Sequence, residues 1–233
     1  MAIYNYSNKD IIQIDFQTGS FTDASVTNSD LDGLLSSNIN WTKTEVRDSN
    51  CNDAQFINSK FSNCTFSRSS LINSQFEKCL LYNNNFSGLS LIKVKILNSK
   101  LKRTVFDSCT MQRSQFKNTI IDSSTIKDIE GIYASFSNTV FINCFVELTY
   151  GNGMNGFSSA IFENCLFYNC NFSGYPLRGA KIDHCTFIAC SGEITDEIDS
   201  VCSYGLPQIS ITEASHLTNF NAAQKLINEV TNA

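Results

Sequence analysis

Ten cysteines and two histidines are the side chains in this 233-residue chain best suited to bind a metal or act as nucleophiles. Their spacing argues against both uses. No two cysteines stand as Cys-x-x-Cys, the pairing used by structural zinc sites and dithiol redox centres. Instead Cys64, Cys79, Cys109 and Cys144 are separated by multiples of five residues, as are Cys165, Cys170, Cys185 and Cys190. A ladder of that kind sets thiols in a line, whereas a metal needs them to converge as a tetrahedron. A catalytic thiol also needs a base beside it. His184 falls in an outward turn slot of the same five-residue frame, and His216 lies in the C-terminal tail. Acidic residues are scattered singly except for Glu193, Asp196, Glu197 and Asp199, which sit where the regular pattern ends and read as a solvated segment. Phosphate-loop and dinucleotide fingerprints are absent. No catalytic residue, metal ligand or cofactor-binding residue is expected, and the thiols read as small buried apolar groups.

The frame that holds the cysteines runs through most of the chain. Stepping by five from Phe16 gives 27 positions to Val146, of which only Ser36 and Gly131 are not apolar. Against a 42% apolar background, the unbroken run of fifteen from Phe56 to Ile126 has a chance probability on the order of one in a million. Two residues before each centre in that run, thirteen of fifteen residues are small. Two residues after it Asn recurs, as at Asn58, Asn63, Asn73 and Asn83, where a turning backbone suits a short amide side chain. The frame breaks after Val146 and resumes one residue out of step at Phe162, Phe167, Phe172, Leu177, Ile182 and Phe187. Between the two frames, residues 147–159 contain Gly151, Gly153 and Gly156 and read as a loop extruded from the wall.

A strict period of five fits neither an α-helix, where residues five apart rotate by about 140°, nor a flat strand, where an odd step changes face. It requires a chain that turns a corner in every unit. The unit resembles that of the pentapeptide-repeat family: a small residue, Asp or Asn, Leu or Phe, then two variable residues. Triplets such as Cys64-Thr65-Phe66, Cys170-Asn171-Phe172 and Cys185-Thr186-Phe187 carry the resemblance, which covers residues 16 to about 190. It implies an all-β fold, a right-handed quadrilateral parallel β-helix with four units per coil. About eight coils at roughly 4.8 Å each give a rod on the order of 40 Å long. Residues 1–15, with Ile11 and Ile12, are expected to cap one end and residues 16–192 to form the β-helix. Residues 193–233 are expected to end in a short α-helix, with Phe220, Leu226, Ile227 and Val230 at helical spacing. In the quinolone-resistance branch of the family such a helix is a dimer contact, so the resemblance implies a homodimer through these four residues.

Charge is uneven along the rod. Residues 1–59 carry a net −5, residues 60–127 a net +8 and residues 128–233 a net −8. Lys93 and Arg113 lie one coil apart in a basic belt flanked by Lys95, Lys100, Lys102 and Arg103. Ile72 and Ile92 form an outward apolar ladder, with Ile57, Leu80, Leu97, Val105 and Ile120 elsewhere on the outside. The extruded loop offers Tyr150, Asn152, Met154, Asn155 and Phe157 for contact. The expected function is non-enzymatic and works by protein contact. The resemblance names a type II topoisomerase, DNA gyrase or topoisomerase IV, bound by a DNA-shaped rod. The alternative is a scaffold or host-directed bacterial effector with another protein partner. Direct nucleic-acid binding and membrane insertion are not expected, and the lack of a signal-like or spanning apolar run implies a cytoplasmic protein.

Overall fold

In the computed structural model, residues 5–7, 19–149, 153 and 155–194 are described. The expected N-terminal cap and the C-terminal helix with its dimer residues fall almost wholly outside them. Within the described residues three units of each coil are short strands and the fourth is a turn, and each unit ends in a corner. The corner is a left-handed residue two positions after the centre, with φ between 46° and 66° from Asp23 to Asn143. Such a conformation is costly for most side chains and least so for Gly, Asn and Asp. That preference is why Asn recurs in this slot. The corner amides also stack from coil to coil: Asn83 Nδ2 donates to Asn63 Oδ1 at 2.7 Å and Asn118 Nδ2 to Asn98 Oδ1 at 3.0 Å.

The strands form three parallel sheets of ten, nine and eight strands, each strand pairing with its equivalent one coil along. Phe56, Phe76, Ile96, Phe116 and Phe136 are therefore stacked one above another in the eight-stranded sheet. The fourth side is a wall of turns, held by single bridges from Asp30 through Asn50, Ser70, Ser90 and Thr110 to Glu130 and by corner hydrogen bonds such as Asn73 N–H to Ile92 O at 2.9 Å. The expected quadrilateral β-solenoid of about eight coils is what the chain builds. Near the loop the pairing steps over a longer stretch of chain, so that Phe136 pairs with Phe162, Phe141 with Phe167 and Val146 with Phe172. No helix of the described residues is long and apolar enough to cross a membrane.

Inside the tube the centres stack as aromatic ladders. Ring centroids lie 4.7 Å apart for Phe56 and Phe76, 4.6 Å for Phe136 and Phe162, and 4.5 Å for Phe141 and Phe167, all near-parallel. Both exceptions to the apolar frame are compensated by an oversized neighbour. Ser36 is fully buried and its Oγ accepts the indole N–H of Trp41 at 3.2 Å. A side chain at Gly131 would meet the ring of Phe157, whose Cε1 lies 2.7 Å from where a Cβ would sit.

The small slots have their own task. Ser49 Oγ accepts the N–H of Ser29, Ser69 Oγ that of Ser49, Ser99 Oγ that of Cys79 and Asn84 Oδ1 that of Cys64. These buried amides at the corners would otherwise lack partners, at about 1–3 kcal/mol each.

Candidate interaction walls

Cysteine chemistry is absorbed by the core. The Sγ of Cys79 donates to the Phe56 carbonyl at 3.1 Å, that of Cys109 to Phe86 at 3.5 Å and that of Cys144 to Ile121 at 3.2 Å, each on the coil before. Burial pushes the thiols of Cys51 and Cys109 up to about 12 and that of Cys79 to about 11, so all three are protonated at neutral pH. Cys165 and Cys185 lie one coil apart, and each thiol donates to a backbone carbonyl, Phe136 O and Phe162 O, both at 3.4 Å. The neighbouring imidazole does not face Cys185. His184 is 74% exposed and its Nδ1 pairs with Asp183 at 2.7 Å. Among the described residues no three His, Cys, Asp or Glu side chains group as a metal site.

The outside of the tube is more informative. Ile72, Ile92, Lys93 and Arg113, singled out separately in the sequence, lie on one surface, the turn wall. Ile72 and Ile92 are half-buried, and Lys93 and Arg113 occupy left-handed corners at φ 57° and 56° with their side chains exposed. One coil further on, Ile132 continues the isoleucine row past Gln112, and Tyr133, 61% exposed, continues the corner row. Tyr133 was not singled out in the sequence. Its signal was the bulky side chain in a slot that prefers Asn, at φ 59°. The wall thus carries an apolar row beside a row of two cations and an aromatic ring. Lys93 and Arg113 form no ion pair among the described residues.

The loop leaves the tube between the ten-stranded sheet and this wall, since Glu147 ends a strand and Gly156 bridges to Glu130. Tyr150, Asn152 and Met154 lie outside the described residues, and Asn155 is exposed at the loop's return. Phe157 is different from expectation. It is 3% exposed and packs edge-on against Phe136 at 5.3 Å and Phe162 at 5.6 Å, so it is a core residue and offers no contact surface. The loop therefore ends at residue 155, before the bridged Gly156.

The basic residues of the middle coils occupy three sides of the rod. Lys93 and Arg113 stand on the turn wall, Lys95 on the eight-stranded sheet, and Lys100 and Lys102 on the nine-stranded sheet, with Arg103 over Tyr82 at 5.8 Å. Duplex DNA offers a negative charge about every 1.7 Å along its axis. The middle coils interrupt any such field.

A family model described as pentapeptide repeats, in eight copies, matches residues 49–88. No curated protein sequence matches the chain. Among solved structures, a trypsin-treated variant of QnrB1, a plasmid-mediated fluoroquinolone resistance protein, is 12% identical with a TM-score of 0.56, over 88% of this chain and 95% of that one. HetL, a pentapeptide repeat protein involved in heterocyst differentiation regulation from the cyanobacterium Nostoc sp. strain PCC 7120, is 13% identical with a TM-score of 0.43, over 79% of this chain and 91% of that one. At these identities the likeness is one of fold.

Proposed function

We propose that this chain, a pentapeptide-repeat solenoid, acts without catalysis as a scaffold that binds a protein partner along its turn wall. The observation that carries the reading is the pairing of the Ile72, Ile92 and Ile132 row with Lys93, Arg113 and Tyr133 on one rigid surface. Apolar side chains that a folded wall leaves half open, beside unpaired cations and an aromatic, suit a partner with an apolar strip and an acidic flank. Rigidity helps, because little ordering entropy is lost on binding.

The test is affinity isolation from a bacterial lysate with the wild type and with Lys93→Glu/Arg113→Glu/Tyr133→Ala. These residues are exposed corners, so the fold should tolerate the change. At least a tenfold loss of the recovered partner is expected, equivalent to about 1.4 kcal/mol. Undiminished capture by the triple variant would sink the turn wall as the contact.

The topoisomerase reading remains as a second proposal, favoured by the acidic character of the two ends of the chain. Supercoiling by DNA gyrase inhibited with a fluoroquinolone separates the two. If the rod acts by DNA-like charge, adding protein restores supercoiling, and Lys93→Glu/Arg113→Glu restores it more strongly because the negative field becomes more continuous. A scaffold that meets gyrase through the turn wall shows the reverse, weaker restoration in the variant. No effect of either protein removes gyrase as the partner.

A further inference from the structure

The outer face of the nine-stranded sheet holds side chains that an outer face should not bury. Ile120, Val140, Ile142, Leu166 and Ile188 occupy the first or third position of their strands, flanking the inward centres Ile121, Phe141, Phe167 and Phe187. Side chains at those positions point away from the tube. Yet the five are only 5%, 4%, 1%, 5% and 1% exposed. At equivalent positions on the other two sheets Leu35 is 45%, Phe145 37% and Ile161 44% exposed. A single-layer wall has no second layer of its own, and no described strand lies outside this sheet.

We infer that the C-terminal segment, residues 195–233, folds back on its own chain and covers this face, with the apolar stripe Phe220, Leu226, Ile227 and Val230 against it. Three observations select this occupant. The covered side chains lie in the coils nearest the point where the described chain ends, at Ile194. From the coil of Ile188 to that of Ile120 is three coil spacings, about 15 Å, which 39 residues span several times over.

Charge agrees as well. Residues 195–233 carry Asp196, Glu197, Asp199, Glu213 and Glu229 against Lys225, and the adjoining part of the same wall carries Lys60, Lys100 and Lys102. There the apolar face opens into a groove of about 410 Å³ between these lysines, Leu80, Tyr82, Ile120 and Asp122, which pairs with Lys102 at 3.6 Å and leaves Lys60 and Lys100 for an acidic occupant. This assignment gives the stripe a task inside one chain, where the family resemblance implied a contact between two.

The test uses the full chain with a photo-crosslinking benzoylphenylalanine in place of Tyr168, which stands on this face between Ile142 and Ile188. An equal mixture of 14N- and 15N-labelled protein is irradiated and the crosslinked peptides are read by mass spectrometry. Crosslinks from position 168 to residues 195–233 within molecules of one isotope are expected. They should fall at least fivefold in Leu226→Asp/Ile227→Asp, a change confined to the segment. Isotopically mixed crosslinks would show that a second copy covers the face. Crosslinks reaching only residues 1–18, or none to the C-terminal segment, would also overturn the inference.

Discussion

Phe157→Ala is expected to destabilise the solenoid by about 3–5 kcal/mol, the range for emptying a phenylalanine from a packed core. Gly131→Leu added to it is expected to return part of the loss. Phe157 stands to Gly131 in sequence as Phe162 does to Phe136 and Phe167 to Phe141, so it is the next centre in the column above Gly131. Its ring leans down into the volume the glycine leaves free, with Cε1 2.7 Å from the place of a Cβ there. Gly131→Leu alone must therefore drive side-chain atoms into the Phe157 ring and should be harmful, while in the Phe157→Ala background the same leucine enters a cavity. The double variant should thus lose less stability than the two single losses added together. Thermal unfolding of the four proteins followed by circular dichroism reads it, and simply additive losses would show that the ring does not fill the slot.

Phe157 also shows what could be read from the sequence and what could not. The five-residue frame is legible because each strand has a single inward centre, and a wrong residue there costs core packing at once. The two breaks at Ser36 and Gly131 look like defects in one dimension. In three dimensions each is met by a ring that arrives from elsewhere, Trp41 from the next unit and Phe157 from the next coil.

Stepping back five from Phe162 lands on Phe157, so the resumed frame already contained this centre. The glycines around it hid it, because a Gly-rich stretch reads as loop before it reads as wall. The candidate contact wall was half legible. Ile72 and Ile92, and Lys93 and Arg113, recur in the same slot of the frame four units apart and must stack once four units make a coil. Their meeting with Tyr133 depends on which of the four sides carries turns in place of strands, and nothing in a repeat common to all four sides marks that difference. The burial of Ile120, Val140 and Ile142 was not legible at all. It depends on what lies over an outward face, and the repeat fixes only inward ones.

Stability is expected to fall steeply above pH 9, and the cysteines are the cause. In the unfolded chain a thiol titrates near its ordinary value of 9.0, whereas burial holds Cys51 and Cys109 at about 12 and Cys79 at about 11 in the folded tube. Between those limits the unfolded state has released protons that the native state still binds, so raising the pH favours unfolding. The stabilisation is complete below pH 9 and is lost as pH climbs towards 11–12. Each thiol contributes a slope of about 1.4 kcal/mol per pH unit. From pH 8 to 10.5 the three together should cost on the order of 5 kcal/mol. Urea unfolding at both pH values, with Cys51→Val/Cys79→Ala/Cys109→Ala beside the wild type, isolates this cause from lysine and tyrosine titration. Alanine already fills the small slot at Ala54, Ala134 and Ala160 with 0% exposure, so the variant should fold. A variant that loses as much stability as the wild type would mean the thiols are not the origin. A flatter profile would identify the cysteines as packing groups whose neutrality the core requires, which is why a chain so rich in thiols has its candidate contacts on its outer walls.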